Sequence, residues 1–354
     1  MSYYKISGNE YDEVIPDTLD LVERAELSIR GLANSIDPVL NSIYLGSHVC
    51  CREPHMFHHA SGDTTCDPKF AESFPMMRIM SGSTCETEKE HLFDRELLSR
   101  IDSGLYWDRY SPERPWRNNY GNYFYGQGKN EDFSVGAANG RMLRALIVLY
   151  EITNDSIFEK NIYEFIDSLK RIAIYRNNYC YYPDKGGWGE PCSYPRSGWI
   201  NDGEASKEVE GAEGSIVAYH GHQAYAAANW YMLSGHKESL ELAACLSRYI
   251  MLPKFWGGVP NLPGRLSNQD KNNFDWYGNP APDPPNTAGP ELGHWFGHFH
   301  ARSIGLRGVL AYGTAAADDK AIEFVRRSYE FSLTQGIPRI GSDCPKTNPK
   351  PASN

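Results

Sequence analysis

Three tyrosines recur at one fixed spacing, and this repeat constrains the fold more than any other feature of the chain. Tyr150, Tyr231 and Tyr312 are separated by 81 residues and then by 81 again. Each lies in an apolar segment that leads through a tight turn into a second segment, as in RMLRALIVLYEITNDSIFEK. Self-similarity at a fixed period is typical of repeat architectures. The sequence therefore predicts an array of helix hairpins.

A fourth, weaker copy of the hairpin precedes these three in FAESFPMMRIMSGSTCETEKEHLF. Here Gly82 is predicted to end one helix, and Ser83 with Glu86 to form a capping box for the next. An opening amphipathic helix is predicted near residues 16–35, with an apolar stripe made of Val22, Ala25, Ile29 and Leu32. Together these segments predict about nine helices around a common axis.

The two helices of each hairpin differ in polarity. The first is apolar on most sides, as in the run AYAAANWYML, which predicts an inner helix buried all round. The second carries charges along one face only, and this predicts an outer helix with one solvent-exposed side. An example is the face formed by Glu159, Lys160, Glu164 and Lys170. No run of residues predicts a strand between them.

The segments that return from an outer helix to the next inner helix are long and rich in Gly, Pro and aromatic residues. They span residues 106–131, 177–211 and 255–291. Loops of this length without structure of their own are usually functional or disordered, and the aromatic content argues against disorder. All three lead into the N-terminus of an inner helix, so they are predicted to gather on one rim and to form a cleft there.

Three titratable residues occupy equivalent positions at this rim. Asp132, Glu213 and His294 each precede a repeat tyrosine by 18 residues. Helix capping by itself explains each carboxylate. Taken together they are predicted to be catalytic, with Asp132 and Glu213 as the acid/base or nucleophile pair that glycoside hydrolysis requires. The nearby Glu204, Glu208 and Glu210 are alternatives for either position.

Substrate contacts are predicted from aromatic residues and from polar residues that interrupt the apolar inner helices. The rim loops supply flat rings on which a sugar can stack, although most of them are expected to pack the loops onto the helix ends. The segment ELGHWFGHFHARSIGLRG concentrates histidines, and a bidentate contact from Arg302 would suit a uronic acid. The predicted substrate-binding residues are Tyr123, Trp188, His220, His222, His298, His300 and Arg302.

Charge and cysteine usage exclude several classes of partner. The net charge of −10 disfavours nucleic acid, no apolar run is long enough to span a membrane, and the N-terminal segment lacks a secretory core, which predicts a cytoplasmic protein. The eight cysteines are expected to be free thiols. A Cys- and His-rich segment at residues 48–66 matches no zinc spacing, so neither a metal nor a cofactor is predicted.

The inner-helix segments EDFSVGAANGRMLRAL, GSIVAYHGHQAYAAANWYML and GHWFGHFHARSIGLRGVLAYG resemble those of the six-hairpin glycosidase superfamily, the (α/α)6 toroids. The resemblance is nearest to the β-L-arabinofuranosidase-like and exo-glucuronidase-like branches. It implies an all-α toroid domain over residues 1–341, followed by a tail at 342–354, and an enzyme acting on terminal sugars. The first branch uses a zinc-bound cysteine that has no match in this chain. Six hairpins need twelve helices, so about nine predict an open ring or part of a longer protein.

The expected function is hydrolysis of a terminal sugar, a uronic acid or a pentose, on an oligo- or polysaccharide. A polysaccharide lyase or uronate epimerase is the first alternative, in which a His or Tyr removes the proton next to a carboxylate. A non-catalytic carbohydrate-binding scaffold is the second, since the fold alone does not decide function. The carbohydrate is the one partner predicted, and the sequence does not indicate an oligomeric state.

Overall fold

The computed structural model describes residues 20–58, 66–109, 131–176, 178–182, 193–199, 215–252, 297–333 and 346–347. Within these residues the fold is all-α and built from helix hairpins, as predicted. The nine helices of the described part are α1 (Leu21–Ala33), α2 (Asp67–Ser81), α3 (Thr87–Ser99), α4 (Gly136–Thr153), α5 (Ser156–Ile172), α6 (Ser215–Ser234), α7 (Lys237–Ile250), α8 (Phe299–Ala316) and α9 (Asp319–Leu333).

The inner and outer layers follow the predicted polarity. Helices α2, α4, α6 and α8 pack side by side in that order, and α5, α7 and α9 pack against them. The first two thirds of α4 is almost wholly buried, whereas α5 buries a single stripe that includes Phe165 and Leu169. Helix α1 packs on α2 through Ala25 and Ile29. Val22 was expected in that stripe, but it is 44% exposed because it lies in the first turn of the helix.

The short turns between inner and outer helices have one common geometry. Each inner helix ends in a left-handed residue, namely Gly82, Asn154, Gly235 or Ala317. The carbonyls of Tyr150 and Tyr231 accept the backbone N–H of the left-handed residue that follows, both at 2.8 Å. This cap satisfies a carbonyl at the helix end and reverses the chain within a few residues. The repeat tyrosines therefore mark the ends of equivalent helices.

The next helix begins directly after each turn. In two hairpins an aspartate caps it, since the Asp155 carboxylate accepts the N–H of Ile157 and the Asp318 carboxylate accepts those of Lys320 and Ala321. The capping box predicted for α3 is wrong. Glu86 is itself the left-handed N-cap residue, without a side-chain cap, and the Ser83 hydroxyl instead accepts the N–H of Cys85.

Glycines let the inner helices approach one another closely. A Cβ added at Gly221 of α6 would lie 2.5 Å from the Ile304 carbonyl oxygen of α8, and one at Gly308 would lie 2.6 Å from the Gly221 carbonyl oxygen. A Cβ at Gly140 of α4 would lie 2.6 Å from the His222 Cβ of α6. These contacts are shorter than carbon and oxygen atoms tolerate, so the glycines set the spacing of α4, α6 and α8.

The described residues contain ten short strands that form five antiparallel pairs, although the sequence predicted none. They are β1 (Gly46–His48) with β2 (His55–Phe57), β3 (Ile101–Asp102) with β4 (Leu105–Tyr106), β5 (Phe133–Val135) with β8 (Ser193–Pro195), β6 (Ile174–Arg176) with β7 (Tyr179–Tyr181), and β9 (Gly297–His298) with β10 (Lys346–Thr347). Four of the pairs include residues next to or within the returns. The expectation that the returns lack structure of their own is therefore wrong for their described parts, because strands of two or three residues are too short to produce a sequence pattern.

The described residues allow three statements about thiols, membrane spans and metal ligands. Six cysteines lie in the described residues, and all six are free thiols. None of the helices described combines the length and the apolar character needed to cross a bilayer. The described residues hold no group of three or more His, Cys, Asp or Glu side chains arranged to bind a metal ion.

Candidate functional site

The start of each inner helix lies at the same edge of the molecule. Consecutive inner helices are separated by an outer helix that runs back, so α2, α4, α6 and α8 are parallel and their N-termini share one rim. The buried Asn139 joins the returns to this rim, since its Oδ1 accepts the Tyr106 N–H at 2.9 Å and its Nδ2 donates to Ser134 and Val135. The rim is therefore fixed by α4 itself.

Asp132 lies on this rim, in the residue before β5. It does not cap α4, whose N-cap residue is Val135. Its carboxylate lies 3.4 Å from the Arg196 guanidinium, which also bonds Asp102 at 2.7 Å and lies 3.6 Å above the ring of Trp107. The Asp132 side chain is 26% exposed, so solvent reaches it. Asp132 is thus a rim carboxylate held by an arginine.

His220 is fully buried and makes a structural contact. Its Nε2 accepts the backbone N–H of Tyr182 at 2.8 Å, and its ring lies against those of Tyr182 and Tyr249. A ring nitrogen that accepts a hydrogen bond carries no proton, so the proton of this neutral imidazole is on Nδ1. This position favours a role in holding the second return onto α6 over the substrate contact predicted for His220.

Contacts between polar and aromatic side chains link all four inner helices. The Glu72 carboxylate of α2 lies 3.2 Å from the Arg144 guanidinium of α4. Arg144 lies 5.8 Å and Arg307 of α8 lies 3.7 Å from the centre of the Tyr225 ring of α6. This chain of contacts crosses α2, α4, α6 and α8 in order. We term it the floor, composed of Glu72, Arg144, Tyr225 and Arg307.

A second group lies nearer to the rim, one turn toward the N-terminus in α2, α4 and α6 and two turns toward it in α8. This upper layer is composed of Lys69, Arg141, His222 and His300. Burial, and then the charges of Arg141, Arg307, His300 and Lys69, hold the pKa of His222 well below its ordinary value. Burial, and then Arg141 and Lys69, lower the pKa of His300. Both imidazoles are therefore neutral near pH 7 and can accept a proton.

The accessibility of the upper layer suits a site. His222 and Arg141 are partly exposed, and His300 and Lys69 are exposed. Together the floor and the upper layer form what we term the inner face. It places two neutral bases and four permanent cations beside the rim.

The remaining predicted residues are divided between the interior and the parts of the chain that are not described. Arg302 is fully buried in α8, which does not favour a direct substrate contact. His298 lies in β9, and its side chain is not among those described. The predicted residues outside the described ranges are Tyr123, Trp188, Glu213, His294 and the alternatives Glu204, Glu208 and Glu210. The described return aromatics Tyr106, Trp107, Tyr181 and Tyr182 are buried, which fits loop packing.

The chain matches no protein-family model, and no curated protein matches it in sequence. Its fold is similar to a GH76 alpha-mannanase of Bacteroides thetaiotaomicron, with a TM-score of 0.46 and 8% identity, covering 89% of this chain and 72% of that one. A D-mannose isomerase gives a TM-score of 0.43 and 12% identity over 93% and 89% of the two chains. A GH76A alpha-1,6-mannanase of Salegentibacter sp. gives 0.38 and 13% over 94% of each. The likeness is one of architecture. With TM-scores below 0.5, no argument about function rests on it.

Most of the inner face could not be predicted in this way. The sequence indicated His222 and His300 but not Lys69, Arg141, Arg144, Tyr225 or Arg307. The signal was present, because Arg141 and Arg144 share one face of an otherwise apolar helix at i and i+3, and Arg307 follows His300 by two turns. Charged residues that recur on one face of a buried helix indicate a polar cavity.

Proposed function

We propose that the protein is a carbohydrate-active enzyme, a glycoside hydrolase, whose substrate enters at the rim and reaches the inner face. The inner face carries this proposal. Charged groups are uncommon on the inner helices of such an array, and here one chain of contacts joins side chains from all four of them. The returns that lead into these helices are rich in aromatic residues in the sequence.

Asp132 and Glu213 remain the proposed acid/base pair. The position of Asp132 supports this assignment, because its carboxylate is partly exposed and lies at the rim, just before α4. Its contact with the Arg196 guanidinium suits the carboxylate that activates water or attacks the sugar. Glu213 is then the proposed acid. Placement in the arabinofuranosidase-like or glucuronidase-like branch, and a cytoplasmic location, stay predictions.

A lyase or epimerase is the second candidate, and the two histidines of the upper layer favour it. Removal of a proton from carbon requires a neutral base next to groups that stabilise the resulting anion. His222 and His300 are held neutral by burial and by the cations around them, and those same cations would stabilise an enolate. In this mechanism the acid/base roles move from the rim carboxylates to the inner face.

The test is a product assay on a panel of oligosaccharides that includes mannosides, arabinosides and glucuronides. Hydrolysis releases a saturated sugar with one new reducing end, a lyase releases an unsaturated product, and an epimerase changes the sugar without cleavage. Asp132→Asn and Glu213→Gln should abolish hydrolysis, whereas His222→Asn and His300→Asn should abolish proton abstraction. His91→Gln, which changes an exposed residue of α3, is the matched control and should keep full activity.

The outcomes separate the candidates. Loss of hydrolysis in the two carboxylate variants, with far-UV circular dichroism unchanged, supports the hydrolase. Activity that depends on His222 and His300 but not on Asp132 favours the lyase or epimerase. If no carbohydrate is bound or altered, the protein is not a carbohydrate-active enzyme.

A further inference from the structure

Two free cysteines lie at the junction between the second return and α7. Cys180 is the middle residue of β7 and is fully buried in the core. Cys245 lies in the second half of α7, packs against the same core and is partly exposed. Free cysteines are among the most buried residues of proteins, so burial by itself indicates no function for either thiol. Their relation to each other is what distinguishes them.

Ring contacts hold β7 against α7 at the level of the two thiols. The residues on either side of Cys180 are tyrosines, and both contact Tyr249 of α7. The ring centre of Tyr179 lies 5.8 Å from that of Tyr249, and the ring centre of Tyr181 lies 5.2 Å from it. Cys245 precedes Tyr249 by four residues, so the two side chains share one face of the helix. The tyrosine contacts therefore place Cys180 beside the face of α7 that carries Cys245.

Polar contacts about one turn to either side of Cys245 hold the same junction together. The Arg248 guanidinium donates to the Asn178 carbonyl oxygen of the second return at 3.0 Å. The Glu241 carboxylate lies 3.1 Å from the Lys170 ammonium of α5. Glu241 and Arg248 precede and follow Cys245 by four and three residues, so all three lie on one face. Cys245 is thus fixed between two contacts that α7 makes with its neighbours.

The two thiols interact directly and are not equivalent. The hydrogen bond from Cys180, and then the charges of Arg248 and Lys170, lower the pKa of Cys245 to about 6 against the effects of burial and Glu241. The same hydrogen bond, together with burial, raises the pKa of Cys180. A thiolate, and not a thiol, is the nucleophilic form of cysteine. The more nucleophilic sulfur is therefore also the one that solvent reaches.

We propose that Cys245 and Cys180 form a peroxide-sensitive dithiol, in which Cys245 reacts with a hydroperoxide and Cys180 then closes a disulfide between α7 and β7. This inference goes beyond the proposed function and does not depend on it. In the reduced protein the second return is held to α6 and α7 by ring contacts and by hydrogen bonds such as that from the Tyr182 N–H to His220. The disulfide would make this attachment covalent and reversible by a thiol reductant.

The reaction balances with one hydroperoxide as the oxidant. The Cys245 thiolate attacks one peroxide oxygen, so an S–O bond forms while the O–O bond breaks, and the departing hydroxide takes a proton from solvent to give water. The Cys180 sulfur then attacks the sulfur of the Cys245 sulfenic acid. The S–S bond forms as the S–O bond breaks, and the hydroxide leaves with the Cys180 proton as a second water. Two electrons pass from the two thiols to the peroxide.

The test is treatment of the reduced full-length protein with hydrogen peroxide, followed by alkylation with iodoacetamide and peptide mass spectrometry without reductant. A cross-linked pair of peptides that contains Cys180 and Cys245 should appear, and dithiothreitol should remove it. At about pH 7, Cys245 should be oxidised at least about ten times faster than Cys85, which is partly exposed as well. The wild-type protein alone gives this result, so it does not depend on the folding of a variant.

Variants separate the roles of the two sulfurs. Cys180→Ser should stop the reaction at the sulfenic acid of Cys245, which dimedone traps, and Cys245→Ser should leave Cys180 unoxidised over the same time. Cys85→Ser is the matched control and should form the disulfide at an unchanged rate.

Three results in the wild-type protein would each overturn the inference. They are oxidation of Cys245 no faster than that of Cys85, oxidation of Cys245 beyond the sulfenic acid while Cys180 stays a thiol, and a disulfide from Cys245 to another cysteine. None of them bears on the carbohydrate function, which the product assay tests separately.

Discussion

Replacement of Asp94 by asparagine should stabilise the protein in a pH-dependent manner. Asp94 is partly buried in α3, and its Oδ1 has no hydrogen-bond partner among the described residues. Burial, and then the neighbouring Glu90, raise its pKa from 3.8 to about 7, although Arg78 opposes this. At ~1.36 kcal/mol per pKa unit that difference corresponds to about 4 kcal/mol. Because water reaches part of the side chain, we expect about 2 kcal/mol.

The sign follows from proton linkage. The folded state holds this proton more tightly than the unfolded state, so the penalty is absent below pH 3.8, grows as the pH rises toward about 7, and is complete above it. Asp94→Asn should therefore leave the free energy of unfolding nearly unchanged at about pH 4 and raise it by about 2 kcal/mol at about pH 8.

Urea unfolding followed by far-UV circular dichroism at several pH values measures the effect. Asp102→Asn is the control of opposite sign, because a hydrogen bond from Arg196 lowers the pKa of Asp102 and its contribution is present above pH 3.8 and lost below it. That variant should lose stability at about pH 8 and lose less at about pH 4. An Asp94→Asn variant that is destabilised, or whose effect is independent of pH, would refute the reasoning.

Two further predictions concern packing and thiol chemistry. Gly221→Ala should lower the free energy of unfolding by about 1–3 kcal/mol, because the added methyl group would overlap the α8 backbone. Gly31→Ala in α1, where an added Cβ would meet nothing within 4 Å, should raise the free energy of unfolding by about 0.5–1 kcal/mol. Thermal melts of the two variants measure both effects, and equal shifts of the melting temperature would contradict the packing argument. A hydrogen bond from Cys180 lowers the pKa of Cys245 to about 6, so Cys245 should react with iodoacetamide at lower pH than the exposed Cys50 and Cys51. Cys180→Ala should remove this difference and Cys180→Ser should keep it, as peptide mass spectrometry would show; an unchanged profile in Cys180→Ala would contradict the assignment.

The repeat made the helical architecture predictable. The 81-residue spacing of three tyrosines and the contrast between apolar and amphipathic segments identified four hairpins and the layer of each helix. These signals are strong because a buried helix must be apolar over many residues. The strand pairs were missed, since two or three residues cannot establish a period-two pattern. The α3 capping box failed because one left-handed residue, Glu86, shifts the start of the helix.

The site was predictable only in part. His222 and His300 were identified because histidines stand out in apolar helices. His220 was assigned the same role, yet it faces the core, because neighbours two residues apart on a helix point in different directions. Arg144 and Arg307 were overlooked, since single arginines in helices are ordinary and only contacts across helices show that these two converge on Tyr225.

A crystal structure of the protein with a bound oligosaccharide tests the central claim most directly. We predict electron density for a sugar between the rim and the floor, within hydrogen-bond distance of His222 or His300. A carboxyl separation between Asp132 and Glu213 of about 5–10 Å across that sugar would support hydrolysis by the pair. A sugar bound elsewhere, or an inner face filled by the chain's own side chains, would contradict the account.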